Sequence, residues 1–129
     1  MINKKAKGTN AERELIHMFW ENGWAAFRAA GSGSMKFPCP DIIAGNSLRK
    51  IAIECKSTSD ERKNLSKQEV LELQEFSKKF GCEAWIGVRF DGKKWFFISI
   101  EDLKQNNHSY STNLESLKTR GVNFEELIQ

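Results

Sequence analysis

The segment from Ser66 to Gly81 constrains this chain more than any other. Ser66 stands three residues before Glu69, the spacing of a capping box in which the serine hydroxyl takes the N3 amide and the glutamate reaches back to the cap. Val70, Leu73, Phe76 and Phe80 then recur on one helical face, and Gly81 supplies the stop. A helix from about Lys67 to Phe80 is therefore predicted, with one apolar side that must lie on another element. Strand-like segments flank it: 51–57 before it, then 84–90 and 94–99 after it, the last two separated by the hairpin signal Asp91-Gly92.

Upstream, Ala11, Leu15, Met18 and Phe19 make an apolar stripe for a first helix from about Asn10 to Asn22, ended by Gly23. Residues 24–30 read as extended, Gly31-Ser32-Gly33-Ser34 as a loop, and Pro38 and Pro40 hold the chain extended around Cys39. A strand at 41–44 turns near Gly45-Asn46 into the strand at 51–57. A charged loop is expected over 58–65, and short helical turns near 101–103 and 124–128 close the chain. The order is helix, three strands, helix, two strands. That order places the chain in the α/β class, a mixed central β-sheet flanked by helices.

With 129 residues and neither repeat nor linker, one domain spans 1–129, carrying a basic N-terminal arm over about residues 1–8 where Lys4, Lys5 and Lys7 crowd together. Hydrophobic residues make up 40%, enough for a real core. No apolar run approaches the roughly 20 residues of a membrane span, and the first residues lack the apolar stretch of a signal peptide, so a cytoplasmic location with no membrane partner is expected. Cys39, Cys55 and Cys82 form no CxxC pair, and with only His17 and His108 beside them they make a poor zinc site; reduced thiols are expected. The net charge of +3 permits nucleic-acid binding without demonstrating it.

The chemistry concentrates in Ile53-Glu54-Cys55-Lys56. Side chains alternate along a strand, so Glu54 and Lys56 project from one face, about 7 Å apart. Asp41 begins the preceding strand, and an antiparallel pairing across the short turn brings it to the same sheet edge as Glu54. Two carboxylates and an ammonium suit phosphodiester hydrolysis, since hard oxygen ligands hold Mg²⁺ and a lysine can orient water or stabilise charge on phosphorus. A surface Glu–Lys pair beside a strand-start aspartate is the other reading of the same residues. Glu12 also has two readings: a third site carboxylate, or the N3 residue of a capping box in Thr9-Asn10-Ala11-Glu12. No nucleophile–histidine arrangement supports a small-molecule hydrolase.

Taken together, Gly8 to Leu15, Arg28-Ala29-Ala30-Gly31-Ser32, Asp41-Ile42-Ile43-Ala44-Gly45, Ile53 to Lys56, Glu75 to Gly81 and Trp95-Phe96-Phe97 resemble the successive blocks of archaeal Holliday junction resolvases, over about residues 4–103. The resemblance implies a restriction-endonuclease-like fold, a symmetric homodimer, and Mg²⁺-dependent cutting of four-way DNA junctions, with Mn²⁺ as a substitute. It implies that Glu12, Asp41 and Glu54 are metal ligands and Lys56 the catalytic lysine. Arg13 and Arg28 match phosphate-contacting residues, Ser32 or Ser34 a loop serine of the site, and Gln68 a polar residue near the centre. The segment 35–40 is longer and more apolar than in shorter members, and Cys55 stands where aliphatic residues are common. Lys36, Arg62, Lys63, Lys67 and the N-terminal lysines could line a basic surface along DNA arms, and Phe76 and Phe80 could join Trp95 and Phe97 in a dimer patch or simply fill the core. A nuclease of the same fold acting on other DNA, and a non-catalytic DNA-binding module, are the competing readings.

Overall fold

The computed structural model describes residues 4–29, 37–59, 62–91, 94–106 and 109–129, with the backbone alone for 4–7 and 62. Helix α1 (Lys4–Glu21) leads into β1 (Ala25–Arg28), β2 (Ile42–Gly45) and β3 (Lys50–Thr58). Next come β4 (Arg62–Ser66), α2 (Lys67–Phe80), β5 (Glu83–Phe90) and β6 (Trp95–Ser99). A 3₁₀ turn (Ile100–Asp102), β7 (Lys104–Gln105), β8 (Ser109–Asn113), α3 (Leu114–Arg120) and α4 (Phe124–Leu127) complete the order. Five strands form the main sheet in the order β1-β2-β3-β5-β6. Within it β3 and β5 run parallel and the other neighbours antiparallel, with α2 inside the crossover. A mixed sheet flanked by helices was the expectation, and it holds.

Central strand β3 carries the core to both faces. Ile51 and Ile53 pack with Leu15 and Phe19 of α1, Trp24, Trp95, Phe97, Phe124 and Leu127. Ala52 lies on the other face with Val70 and Leu73 of α2, Ile86, Val88 and Leu117. The α2 boundaries and capping box are as expected: Ser66 Oγ accepts from the Glu69 amide at 3.0 Å, and Gly81 caps the C-terminus at φ 81°, a left-handed conformation that glycine adopts without steric cost.

Two expectations need correction, and one open alternative is resolved. Helix α1 begins at Lys4, six residues before Asn10, so the backbone of Lys4, Lys5 and Lys7 is helical, and Thr9 and Glu12 are interior residues with no capping box between them. The expected loop at 58–65 is in part strand β4, paired with β8 over Arg62↔Asn113 to Ser66↔Ser109 in a second sheet, β4-β8-β7. Finally, Trp95 and Phe97 are 2% and 0% exposed and fill the α1-side core, stacked at 5.8 Å, so they take no part in a surface patch with Phe76 and Phe80. Among the described residues, no helix is long and apolar enough to cross a membrane.

Candidate active site

The register Ile42↔Ile53 between β2 and β3 sets Asp41, the next residue outward, against Glu54. One Asp41 oxygen, Oδ2, accepts a 2.8 Å hydrogen bond from the Cys55 amide, which fixes the carboxyl over the strand. Asp41 also shares a hydrogen bond with the Glu54 carboxyl. Burial, then that hydrogen bond and the Asp41 charge, push Glu54 up to about 9, against the opposing pull of Lys56. At neutral pH the pair therefore retains a proton, because two carboxylates in contact cannot both ionise without a compensating charge.

Glu12 approaches from α1. Its carboxyl is raised by burial and by the Asp41 charge, against the hydrogen bond it accepts from Arg28 Nε at 2.9 Å. The Cys55 thiol lies beneath these acids, pushed well up by burial and then by Asp41, Glu12 and Glu54. Cys39 is raised by burial and by the charges of Asp41 and Glu54. Neither thiol is poised as a thiolate nucleophile.

Lys56 shares the face of Glu54 and is drawn by the same acids. Its ammonium forms an ion pair with Glu69 at the start of α2. Burial pulls Lys56 down, yet the bond to Glu69 and the charges of Glu69, Glu54 and Asp41 outweigh it, so the lysine stays protonated above its ordinary range. Glu69 is lowered on balance: burial acts against ionisation, and Lys56 and Ser66 overcome it.

The structure thus brings Asp41, Glu54 and Lys56 together, with Glu12 close enough to feel Asp41 but held by Arg28. Among the described residues, no group of three or more His, Cys, Asp or Glu side chains is arranged to hold one metal ion. The Asp41–Glu54 pair still fits a hard divalent cation. Its donors are carboxylate oxygens, it holds a proton where a cation would sit, and Mg²⁺ commonly takes one or two carboxylates and completes its shell with water and phosphate. Arg13 is exposed on α1 and Arg28 lies beside Glu12. The Gln68 amide bonds Glu72 at 2.9 Å on the exposed face of α2, and its neighbour Glu69 pairs with the lysine. Sequence reasoning missed Glu69 because a capping box already explained it; a capping glutamate leaves one oxygen unused, and that was the available signal. Ser32, Ser34 and Lys36 lie outside the described residues, and nothing is described of the Lys4, Lys5 and Lys7 side chains.

Comparison with known proteins decides the family. A model of the archaeal Holliday junction resolvase (Hjc) matches residues 3–129. The chain belongs to the archaeal Holliday junction resolvase family. It is 39% identical to the crossover junction endodeoxyribonuclease Hjc of Archaeoglobus fulgidus, over 95% of this chain and 90% of that one. It is 31% identical to the Hjc of Methanocaldococcus jannaschii over 99% and 91%. The solved structure of A. fulgidus Hjc, a Holliday junction resolvase from an archaeal hyperthermophile, is similar with a TM-score of 0.86 at 34% identity, covering 94% of each chain. The sheet and helices described above are accordingly those of a restriction-endonuclease-like resolvase.

Proposed function

We propose that this resolvase cuts paired strands of four-way DNA junctions by divalent-metal-dependent phosphodiester hydrolysis, with Mg²⁺ as its ion and Mn²⁺ as a substitute. The observation that carries the reading is the contact between the Asp41 and Glu54 carboxyls, buried enough to retain a proton and next to the Lys56 ammonium. When bound, the ion would polarise the scissile phosphate and lower the pKa of a coordinated water.

The chain's own groups account for the rest. Asp41 and Glu54 would hold the ion, and the Cys55 amide fixes the Asp41 carboxyl over the strand. Lys56, protonated, sits where negative charge develops on the phosphate oxygens. Arg28 and Arg13 take phosphates on the α1 side. As Arg28 turns to phosphate it releases Glu12, whose carboxylate is then available beside Asp41 as a third ligand. Ser32 is taken as a site residue and Ser34 as a DNA contact from the family resemblance, and Lys36, Lys4, Lys5 and Lys7 are assigned to the DNA backbone on their charge. Contacts of this kind read phosphate and shape instead of base sequence.

Two coordinated cuts call for two sites, which a twofold homodimer supplies. The apolar surface for it lies on the outer side of α2. Phe37, Leu71 and Phe80 are 70%, 45% and 51% exposed, Phe76 stacks on Phe80 at 5.2 Å, and Phe37, Pro38, Phe76 and Phe80 line a cavity of about 270 Å³. Sedimentation at micromolar protein should give a dimer, and Phe80→Glu a monomer; a fully active monomer would remove the paired-cut part of the proposal.

The deciding assay compares a mobile four-way junction with a linear duplex of the same sequence, each with and without Mg²⁺. Junction-selective, Mg²⁺-dependent cutting is expected. Equal rates on both substrates would assign the site to a nuclease of other DNA, and junction binding without cutting would assign the chain to a binding module.

A further inference from the structure

The geometry points to Glu69 as a positioning residue for Lys56, its carboxylate setting where the lysine ammonium stands relative to the Asp41–Glu54 pair. This rests on the catalytic reading of Lys56 given above. A lysine ends in a point charge on a flexible four-carbon stem, and its location is undefined unless a partner fixes it. Lys56 is flanked by the acids of the site, yet the Glu54 carboxyl is hydrogen-bonded to Asp41, and the ion pair of Lys56 is with Glu69.

Glu69 is itself well held. One oxygen, Oε1, accepts from the Ser66 amide at 3.3 Å, its own amide donates to Ser66 Oγ at 3.0 Å, and the other oxygen, Oε2, meets the lysine. The next turn of α2 is anchored by Val70 and Leu73, 2% and 3% exposed against the sheet. The carboxylate thus ties two elements together: its cap belongs to α2 and its lysine to β3. A shift of about 1 Å in a catalytic group costs on the order of 10²-fold in rate, which sets the scale of what the anchor can contribute.

Three variants separate this role from capping. Glu69→Ala loses the cap and the anchor together. Ser66→Ala removes the serine hydroxyl from the cap and leaves the Glu69 carboxylate. Glu69→Gln has a single acceptor oxygen, so turned to the ammonium it keeps the anchor and gives up the bond from the Ser66 amide. Single-turnover junction cleavage with saturating enzyme and Mg²⁺ should fall about 10²-fold in Glu69→Ala with junction Kd unchanged, stay near wild type in Ser66→Ala despite a lowered Tm, and largely recover in Glu69→Gln. Equal losses in Glu69→Ala and Ser66→Ala, no loss in Glu69→Ala, or no recovery in Glu69→Gln would overturn the inference. Lys56→Ala, run alongside, tells the two failures apart. An inactive Lys56→Ala beside a fully active Glu69→Ala rejects Glu69 alone, whereas an active Lys56→Ala rejects the catalytic reading of the lysine itself.

Discussion

The β2–β3 pairing is flanked by charge at both ends, and the two ends are treated in opposite ways. Just before the start of β3, Arg49 meets Glu83 of β5 with two hydrogen bonds of 2.8 Å, donates to the Leu127 and Gln129 carbonyls at 2.6 and 3.0 Å, and lies 5.5 Å over the Trp24 ring. Glu83, also bonded by the Trp85 indole, is held below the usual carboxylate range, first by its hydrogen bond to Arg49. Near the other end, Glu54 faces Asp41 and is driven up to about 9. One acid has its counter-ion built in; the other faces a second acid that only a proton or a cation can accommodate. The first arrangement fastens the C-terminus to the sheet. The second is stable only when something arrives, which is the physical mark of a functional site.

The largest test of that contrast removes one acid of the unpaired end. Glu54→Gln or Asp41→Asn should reduce Mg²⁺-dependent junction cleavage by roughly 10³-fold or more, the several kcal/mol that a bound cation supplies to the transition state. Junction affinity should persist because it resides in the basic surface. Near-normal turnover in either variant would show that the pair is not the metal site.

pH should separate the ends next. Glu54 is raised from 4.5 to about 9 in the folded protein, so between those values the metal-free fold keeps a proton that the unfolded chain releases. Stability from this group is full below pH 4.5 and is lost as pH climbs toward 9, at up to about 1.4 kcal/mol per pH unit. Mg²⁺ must displace the same proton, so the rise in Tm it produces should grow over that window. Glu83, lowered, contributes the opposite slope at acid pH, losing stability as pH falls below its ordinary range. Calorimetry of metal-free protein at pH 6 to 9 should show the decline in wild type and its absence in Glu54→Gln; a flat wild-type profile would contradict the retained proton.

At the paired end the effect should be on stability alone. Arg49→Ala strands a half-buried carboxylate and two C-terminal carbonyls, a loss of about 2 kcal/mol and several degrees in Tm. Single-turnover cleavage at 25 °C should remain at the wild-type rate. A catalytic defect without a stability defect would mean that this cluster communicates with the site.

The same contrast explains what could be read from sequence. Asp41, Glu54 and Lys56 were legible because strand alternation and one short turn are local rules, and the α2 capping box was legible because its two partners are three residues apart. The Arg49–Glu83 clamp went unread, since its partners are 34 residues apart and only the parallel pairing Ile51↔Glu83 brings them together. Strand β4 was missed for a similar reason: its partner, Ser109-Tyr110-Ser111-Thr112-Asn113, has no apolar alternation to announce a strand. The start of α1 was misplaced because Thr9 and Asn10 have the chemistry of a cap, yet the helix runs through them from Lys4. Glu69 was read only as a cap because which side chain of a helix turn faces a strand depends on packing that the capping pattern does not specify.

The smallest prediction decides to which end a third pair belongs. Arg28 and Glu12 are joined at 2.9 Å like Arg49 and Glu83, but the Arg28 side chain is 40% exposed and Glu12 lies within range of the Asp41 charge. If Arg28 exchanges Glu12 for a phosphate, Arg28→Ala should weaken junction binding about tenfold and lower the slope of log Kd against log salt by about one, with little change in Tm. Surface pairs of this exposure contribute little to folding, so stability offers no competing explanation for a binding defect. Unchanged affinity and salt slope, together with a fall in Tm, would place Arg28 with Arg49 as a fastener of the fold and leave Glu12 confined to its arginine.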